Sequence, residues 1–356
     1  MVDFRTGLDR LKIYSIEEGD WDVKLDANES AFNLPPVVRE KLMVRLAGLS
    51  FNRYPEITQW GLRKRIAADL GVLAENIVIG NGSSQLLQAA CYIFGGEGSK
   101  IVFAEPSFPG YSIFCKLADA QAVIVDLEDD FSLPPAQILT TAKREAAKLI
   151  ILCSPNNPTG NKMPLTAIQE IVENADCPVV VDEAYIEFGG ESVLDLSVEY
   201  PNMIVMRTFS KAYGLASARV GYAVANQEIA AAMGKFLLSF NISTLSLIAA
   251  DTVYENKIEF KKSISETVAE RERLRSELMS IPGIYVFPSA ANFLLVRVKE
   301  AAALVTALLA SSICVRDFRI PRLEGCIRVT VGTTAENDAL LAVVRKFSTC
   351  GALGKV

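Results

Sequence analysis

The chain has 356 residues, half of them apolar, and carries a formal net charge of −6. This length fits one large domain with a second, smaller one, and the apolar content supplies a sizeable core. The acidic balance argues against nucleic acid or an anionic membrane as the main partner. Histidine is absent from the sequence. Its absence excludes histidine triads and histidine metal sites, so we expect no bound metal. We expect lysine, tyrosine, a carboxylate or a cofactor to carry out any proton transfer.

Seven cysteines are scattered through the chain without a CxxC pair, at positions 91, 115, 153, 177, 314, 326 and 350. Several lie in apolar runs, which is typical of buried thiols in a reducing compartment rather than of a disulfide framework or a zinc site. No apolar run is long enough to span a bilayer, and the first residues lack the apolar core of a signal peptide. We therefore expect a cytoplasmic protein.

The first 30 residues are polar and mixed, and we expect an arm outside the core. Helices are predicted over 35–47 and 59–70, on either side of a loop at 51–56. Strands and helices then alternate. The predicted strands are 76–79, 100–104, 122–126, 148–153, 178–182, 203–207 and 220–225, and the predicted helices are 83–94, 108–117, 135–147 and 165–174. This alternation predicts a large α/β domain at 45–255, with a mainly parallel sheet covered by helices on both faces.

A long charged helix predicted at 257–281 leads into a different pattern. Strands are predicted at 284–287, 293–298, around 314 and at 327–331, with helices at 301–311 and 335–347. This predicts a smaller α+β domain at 256–356, to which the arm and first helix at 1–44 also contribute. We see no flexible linker, so we expect a site between the two domains.

One lysine stands out in the sequence MRTFSKAYGLASARVG at 206–221. Lys211 follows a predicted buried strand and lies among small residues. Partial burial would lower the pKa of this lysine and favour its neutral, nucleophilic form. An ordinary surface lysine is the alternative. Arg219 lies eight residues further on.

A second candidate is the turn GNGSS at 80–84, between a predicted strand and a predicted helix. Backbone N–H groups and hydroxyls at such a helix start can bind a phosphate, although Ser83 would also serve as an ordinary helix cap. The next loop offers Phe108 or Tyr111 to stack on a planar ring, and a core aromatic is the alternative.

Polar side chains also follow two buried strands. Asn157 lies in the turn SPNNPTG at 154–160, and Asp182 ends the apolar run VVVD, with Tyr185 three residues later. A carboxylate at that position is costly unless it faces a cation, and a helix cap is the alternative. Arg328 lies in an otherwise apolar strand and is suited to clamp a carboxylate, and Arg316 could bind a second anion.

These groups together are what pyridoxal phosphate requires. The carboxyl ends of successive parallel strands would gather a phosphate site, an aromatic ring, an amide, a buried carboxylate and a nucleophilic lysine. The lysine forms the Schiff base, and the carboxylate pairs with the pyridine nitrogen and keeps the ring an electron sink.

The sequence resembles the fold-type-I pyridoxal-phosphate-dependent aminotransferases over nearly the whole chain. The NPTG sequence at 157–160 and the Ser-Lys pair at 210–211 with Arg219 are similar to the markers of that superfamily. The sequences RYPE at 53–56, VRD at 315–317 and GCIRVTVGT at 325–333 resemble those of the histidinol-phosphate aminotransferase branch. The resemblance implies transfer of an amino group between L-histidinol phosphate and 2-oxoglutarate, giving imidazole-acetol phosphate and L-glutamate, in histidine biosynthesis.

The resemblance also implies a role for each matching residue. Lys211 holds the cofactor and shuttles the proton between the substrate Cα and the cofactor C4′. Asp182 binds the pyridine nitrogen, Asn157 and Tyr185 bind the ring 3-oxygen, and Tyr111 stacks on the ring. The cofactor phosphate would be bound by Gly82, Ser83, Thr208, Ser210 and Arg219. Tyr54 would reach the cofactor of the other subunit, in a homodimer with shared active sites. The substrate would be bound by Asn28, Arg316 and Arg328.

Other activities remain open at this point. A threonine-phosphate decarboxylase of the same fold would use the same lysine and carboxylate, with an arginine for the phosphate. An aromatic-amino-acid aminotransferase would share the whole cofactor site, and a non-enzymatic cofactor-binding domain would lack a reason to keep the lysine. A nicotinamide-binding protein is disfavoured, because the GNG turn at 80–82 lacks the third glycine of that fingerprint.

Overall fold

The computed structural model describes residues 19–349, which form two β-sheets flanked by helices. The strands are β1 (Val23–Leu25), β2 (Ile77–Asn81), β3 (Lys100–Glu105), β4 (Gln121–Asp126), β5 (Leu149–Cys153), β6 (Val179–Asp182), β7 (Met203–Thr208), β8 (Val220–Ala225), β9 (Ile284–Val286), β10 (Phe293–Val298), β11 (Ile313–Asp317) and β12 (Cys326–Thr330). The helices are α1 (Pro36–Ala47), α2 (Trp60–Leu70), α3 (Gly82–Phe94), α4 (Gly110–Leu117), α5 (Pro135–Arg144), α6 (Leu165–Asn174), α7 (Gln227–Phe236), α8 (Thr244–Glu255), α9 (Lys261–Met279), α10 (Ala301–Leu309) and α11 (Thr334–Thr349).

The larger sheet has seven strands in the order β2-β8-β7-β6-β5-β3-β4. Only β8 runs antiparallel to its neighbours β2 and β7, and the other pairs are parallel. Apolar residues of α3, α4 and α7 cover one face, and those of α1, α2, α5, α6 and α8 cover the other. Burial on both faces explains why β5 and β6 are continuously apolar until their last residues. The carboxyl ends of β5, β6 and β7 therefore share one edge.

The smaller sheet has five strands in the order β1-β11-β12-β10-β9. It is antiparallel except for β1, which pairs in parallel with β11. Apolar residues of α9, α10 and α11, among them Leu274, Leu304 and Leu340, pack against it in a separate core. The sequence-based prediction of a mainly parallel α/β sheet and a smaller α+β unit is confirmed.

The expectation of an arm outside the core is wrong for the part of the N-terminal region that the structure describes. Val23 pairs with Ile313 in the smaller sheet, and Leu25 is only 1 % exposed in its core. A three-residue strand whose partner lies almost 300 positions away leaves no local periodicity to detect. Residues 1–18 lie outside the described part, and the boundaries drawn at 44 and 255 remain predictions.

Smaller differences concern helix ends and the cysteines. Helix α4 begins at Gly110 rather than at 108, and α9 is preceded by a 3-10 turn at Lys257–Phe260 that had been included in the long helix. All six cysteines between residues 19 and 349 are buried and outside any disulfide, as predicted, and position 350 lies outside the described residues. Across residues 19–349, none of the helices combines the length and apolar character that crossing a bilayer requires.

Candidate active site

One cavity lies at the shared edge of β5, β6 and β7, against the start of α3 and the smaller sheet. It collects ten of the fourteen site residues predicted from the sequence, together with Phe108. The other four predicted residues, Gly82, Tyr111, Tyr54 and Arg316, are not part of its lining. The lining residues are Ala27, Asn28, Ser83, Ser84, Phe108, Cys153, Asn157, Asp182, Ala184, Tyr185, Thr208, Ser210, Lys211, Arg219 and Arg328.

Lys211 lies just beyond the end of β7, on the turn that leads back towards β8. Its Nζ donates a hydrogen bond of 2.8 Å to the carbonyl oxygen of Ala27. Burial, with a further contribution from the Arg328 guanidinium, lowers the pKa of Lys211 to about 7. A large share of the molecules therefore carries a neutral, nucleophilic amine at neutral pH, as the sequence predicted.

Asp182 ends β6 and is only 4 % exposed. One carboxylate oxygen, Oδ2, accepts a hydrogen bond of 2.9 Å from the Tyr111 hydroxyl, and Oδ1 accepts one of 3.1 Å from the backbone N–H of Ala184. Burial raises the pKa of Asp182 to about 6, although both hydrogen bonds oppose that shift. The carboxylate is thus held in a fixed orientation beside the cavity, where it can pair with a cationic ring nitrogen.

The structure corrects the role expected for Tyr111. Tyr111 is fully buried, its hydroxyl is directed at Asp182, and its ring packs edge-on against Phe103 and Phe108. It does not line the cavity, so its face is not available to stack on a cofactor ring. Phe108, the other aromatic residue considered in that loop, does line the cavity. Phe108 is therefore the aromatic residue placed to face a ring in the cavity, and Tyr111 contacts the Asp182 carboxylate.

The start of α3 forms a compact anion site with Arg219. Gly82 has a φ of +73°, and a Cβ atom there would lie 2.6 Å from the Arg219 Nη2. A Cβ atom on Gly221 would lie 2.5 Å from the backbone nitrogen of Ser83. The two glycines therefore allow β8 and the guanidinium to approach the unpaired N–H groups at the helix start, which favour negative charge.

Hydroxyl groups complete this anion site. Arg219 Nη1 donates to the Ser210 Oγ at 3.2 Å and to the Ala216 carbonyl oxygen at 3.1 Å, which fixes the guanidinium. The Thr208 Oγ1 accepts a hydrogen bond of 3.1 Å from the Ser210 N–H. With Ser83, these groups are the predicted phosphate-binding set, and the structure brings all of them together.

Asn157, Tyr185, Asn28 and Arg328 lie on the side of the cavity that faces the smaller sheet. Arg328 Nη1 donates to the Asn157 Oδ1 at 2.6 Å, and its Nη2 donates to the Asp26 carbonyl oxygen. Asn28 Nδ2 donates to the Tyr185 hydroxyl at 3.0 Å. Asn28 is buried, and its backbone N–H is bound to the Thr330 hydroxyl of β12. The N-terminal strand thus connects the smaller sheet to the lysine and tyrosine of the cavity.

Besides Gly82 and Tyr111, two further predicted site residues lie outside the cavity lining. Arg316 is half-buried on β11, directly opposite Arg328 of β12. Tyr54 is 81 % exposed, and its ring stacks on Phe240 at 4.5 Å between centroids. Their roles toward the substrate phosphate and a second subunit therefore remain proposals.

Sequence reasoning missed four residues that line the cavity, namely Ala27, Ser84, Cys153 and Ala184. Cys153 was detectable, because it ends β5 in register with Asp182 of the neighbouring parallel strand. Ala27 contributes only its carbonyl oxygen to Lys211, and a backbone contact of this kind has no sequence signal. Ser84 follows Ser83 in the turn that had been identified.

The residues present fit pyridoxal phosphate. The hydroxyls, the Arg219 guanidinium and the start of α3 match a phosphate dianion, the buried Asp182 matches a protonated ring nitrogen, and Lys211 matches an aldehyde. Gly82 provides an independent observation, because any side chain there would fill the space that Arg219 occupies beside the helix start.

The comparisons with known proteins agree with this geometry. The family model described as "Aminotransferase class I and II" matches residues 22–344. The chain belongs to this family of aminotransferases. The predicted enzyme class, a transaminase that depends on pyridoxal phosphate, is thereby confirmed.

Several relatives of the chain carry a more specific name. The chain is 41 % identical over 335 residues to a histidinol-phosphate aminotransferase of Thermococcus gammatolerans, covering 94 % of each chain. It is 39 % identical over 333 residues to one of Ruminiclostridium cellulolyticum, covering 92 % of this chain and 93 % of the relative. A crystal structure of histidinol-phosphate aminotransferase from Sinorhizobium meliloti in complex with pyridoxal-5′-phosphate superposes with a TM-score of 0.86 and 27 % identity, covering 93 % and 91 % of the two chains.

Proposed function

We propose that this protein is a histidinol-phosphate aminotransferase with pyridoxal 5′-phosphate as its cofactor. It moves the amino group of L-histidinol phosphate to 2-oxoglutarate and, in the biosynthetic direction, that of L-glutamate to imidazole-acetol phosphate. The similarity to proteins of that name across more than nine tenths of the chain supports the reaction. We place the reaction in the cytoplasm, as expected from the sequence.

The observation that carries the substrate class is the pair formed by Arg316 and Arg328. These residues are direct cross-strand partners on β11 and β12, so their side chains leave the smaller sheet on the same face. Two guanidinium groups on one face of a sheet favour an anionic substrate, because each can donate charge-assisted hydrogen bonds to a phosphate or a carboxylate. Histidinol phosphate carries a phosphate group, and glutamate carries two carboxylates. One site can therefore serve both substrates in turn.

The residues of this chain divide the remaining work. When bound, pyridoxal phosphate supplies an electron sink for charge that develops at the substrate Cα. Lys211, with its pKa of about 7, takes and returns the proton at that carbon. Asp182 holds the proton on the pyridine nitrogen. Arg219 and the start of α3 fix the phosphate, so the reacting atoms keep one orientation through both halves of the reaction.

Arg328 orients the substrate from the opposite side. Its guanidinium already lies 2.6 Å from the Asn157 Oδ1, and a carboxylate accepts two parallel hydrogen bonds from such a fork. We propose that it clamps the α-carboxylate of glutamate, and that Arg316 binds the phosphate of histidinol phosphate. Asn28 contacts the substrate beside the Tyr185 hydroxyl that it holds at 3.0 Å.

We further propose a homodimer with shared active sites, in which Tyr54 reaches the cofactor phosphate of the partner subunit. The stacked rings of Tyr54 and Phe240 are exposed together with neighbouring apolar side chains, among them Phe51, Ile57 and Leu238. An exposed apolar surface of this kind is typical of a subunit contact. Mixing an inactive Lys211→Ala chain with a Tyr54→Ala chain tests the proposal, because shared sites restore one functional site per mixed dimer and separate sites restore none beyond the Tyr54→Ala level.

Steady-state kinetics test the proposed substrate. We expect kcat/KM for L-histidinol phosphate to exceed that for L-histidinol by at least about a hundredfold, since L-histidinol cannot form the charge-assisted hydrogen bonds that the phosphate accepts from arginine. Release of CO₂ from threonine phosphate would instead make the protein a decarboxylase of this fold. A higher kcat/KM for phenylalanine than for L-histidinol phosphate would make it an aromatic-amino-acid aminotransferase.

A further inference from the structure

An ion pair between the buried Glu183 and the partly exposed Arg207 lies on the face of the larger sheet opposite the active site. Glu183 follows Asp182 directly and is 1 % exposed, and Arg207 directly precedes Thr208 at the end of β7. The Arg207 Nη2 and Nε lie 2.9 and 3.0 Å from the Glu183 Oε2. Because successive side chains of a strand alternate, the pair lies on the face away from the cavity, with Tyr222 of β8 as a neighbour.

Glu183 also forms hydrogen bonds to the far end of the loop that contains Tyr185. Its Oε1 accepts a hydrogen bond of 2.7 Å from the backbone N–H of Val193, and its Oε2 accepts one of 2.9 Å from the Ser192 hydroxyl. Arg207 Nη2 donates to the same Ser192 oxygen at 2.7 Å. The loop from 184 to 193 is therefore closed at both ends by Glu183.

The site residues depend on this closed loop. Its first residue, Ala184, donates the backbone hydrogen bond to Asp182 Oδ1, and its second is Tyr185. The backbone N–H of Glu183 donates to the Met206 carbonyl oxygen at 2.8 Å, which ties the end of β6 to that of β7. Any rotation of this segment would move the Asp182 carboxylate and the Tyr185 hydroxyl together.

We infer that Glu183 and Arg207 are positioning residues for the cofactor site, which hold the 182–185 segment and balance each other's charge behind it. The inference rests on the proposed cofactor but not on the proposed substrates. A buried carboxylate or guanidinium left alone at this place is costly and acts electrostatically on groups across the sheet. The other titratable groups that face Arg207 are Glu187, Tyr213, Tyr222 and Asp69.

The charge-balance part of the inference predicts shifts of opposite sign. Glu183→Gln removes one negative charge behind the site and should lower the pH at which the absorption of the bound cofactor changes. Arg207→Gln removes one positive charge and should raise that pH. A unit charge about 10 Å away at an effective dielectric of about 20 shifts a pKa by roughly one unit. The double variant Glu183→Gln/Arg207→Gln should return to within a few tenths of the wild-type value.

The positioning part is measured without turnover, as the affinity of the apoenzyme for pyridoxal phosphate. We expect the dissociation constant to rise about tenfold in each single variant, comparable with the loss that removal of an outer-shell partner causes at a metal site. Arg207→Lys keeps the positive charge but not the planar guanidinium. The absorption of its bound cofactor should therefore change at the wild-type pH, while its affinity for pyridoxal phosphate should lie between those of the wild type and Arg207→Gln. Arg345→Gln, which breaks an exposed pair with Glu277 on α9 and α11, is the control and should change neither quantity.

Shifts of the same sign in both single variants, or no shift with wild-type affinity, would overturn the inference. If Arg207→Gln does not fold, Arg207→Lys and the double variant still decide it, because a double variant that keeps the defect of Glu183→Gln contradicts charge balance. A wild-type protein that binds pyridoxal phosphate but ignores histidinol phosphate would refute the proposed substrates alone and leave this test intact.

Discussion

The Tyr111 hydroxyl donates a 2.9 Å hydrogen bond to the Asp182 carboxylate, and neither group has an exposed surface of consequence. Burial raises the pKa of Asp182, and the hydrogen bond from Tyr111 is the strongest of the contacts that lower it. Tyr111 therefore helps to keep ionised the carboxylate that must face a protonated ring nitrogen. Tyr111, which we expected to stack on the cofactor ring, thus acts on the charge of Asp182 instead.

Replacing Tyr111 by phenylalanine should weaken catalysis without loss of the fold. Without the hydroxyl, the pKa of Asp182 rises further, and the carboxylate is less able to hold a cationic ring nitrogen. We expect kcat to fall roughly tenfold, because a hydrogen bond to a charged group contributes about 1.5 kcal/mol. Tyr92→Phe on the surface of α3 is the matched control. Equal kcat values for the two variants would remove Tyr111 from the account.

Replacing Phe108 by leucine should chiefly affect cofactor binding. Phe108 lines the cavity, and loss of its ring face removes an aromatic contact contributing about 1 kcal/mol. We expect the dissociation constant for pyridoxal phosphate to rise about fivefold, as measured by titration of the apoenzyme. If Phe108→Leu binds the cofactor as tightly as the wild type, the assignment of the stacking position to Phe108 is wrong.

Replacing Arg316 by alanine should lower kcat/KM for L-histidinol phosphate much more than kcat/KM for glutamate. We propose that Arg316 binds the substrate phosphate, so kcat/KM for L-histidinol phosphate should fall about a hundredfold, since a charge-assisted contact contributes about 3 kcal/mol. The kcat/KM for glutamate should fall less, because Arg328 binds its α-carboxylate. Arg319→Ala, which removes an almost fully exposed arginine of the following loop, serves as the control. Similar losses for both substrates would place Arg316 outside the phosphate site.

The lowered pKa of Lys211 has a consequence for the stability of the apoenzyme. Its pKa falls from 10.5 to about 7 on folding, so the folded state binds fewer protons than the unfolded state between these values. The free-energy cost of burying the charged lysine is at its full value when the pH is below the pKa of Lys211 in the folded state. It disappears as the pH rises towards the pKa of this lysine in the unfolded state. We expect Lys211→Met to raise the free energy of unfolding in urea most at about pH 6 and much less at about pH 9. A pH-independent effect, or one shared by Lys116→Met on the surface of α4, would contradict this.

The strands that build the cavity were predictable because their burial leaves long apolar runs that end in polar residues. Asp182 at the end of VVVD and Asn157 after the β5 strand were identified in this way, and parallel order brings their ends together. The position of Tyr111 was not predictable, because the sequence does not show that Phe108 lies in the loop before α4 while Tyr111 lies in its first turn, facing the core. The strand β1 and the Ala27 carbonyl contact depend on pairing across almost the whole chain, for which the local sequence contains no signal.

The most direct test of the proposed reaction is the absorption spectrum of the purified holoenzyme before and after addition of L-histidinol phosphate alone. The account predicts that the yellow absorption of the bound cofactor is lost and returns on addition of 2-oxoglutarate, and that Lys211→Ala shows no such cycle at catalytic rates. A yellow protein whose spectrum does not respond to L-histidinol phosphate would contradict the proposed substrate. A protein that takes up no pyridoxal phosphate would contradict the whole account.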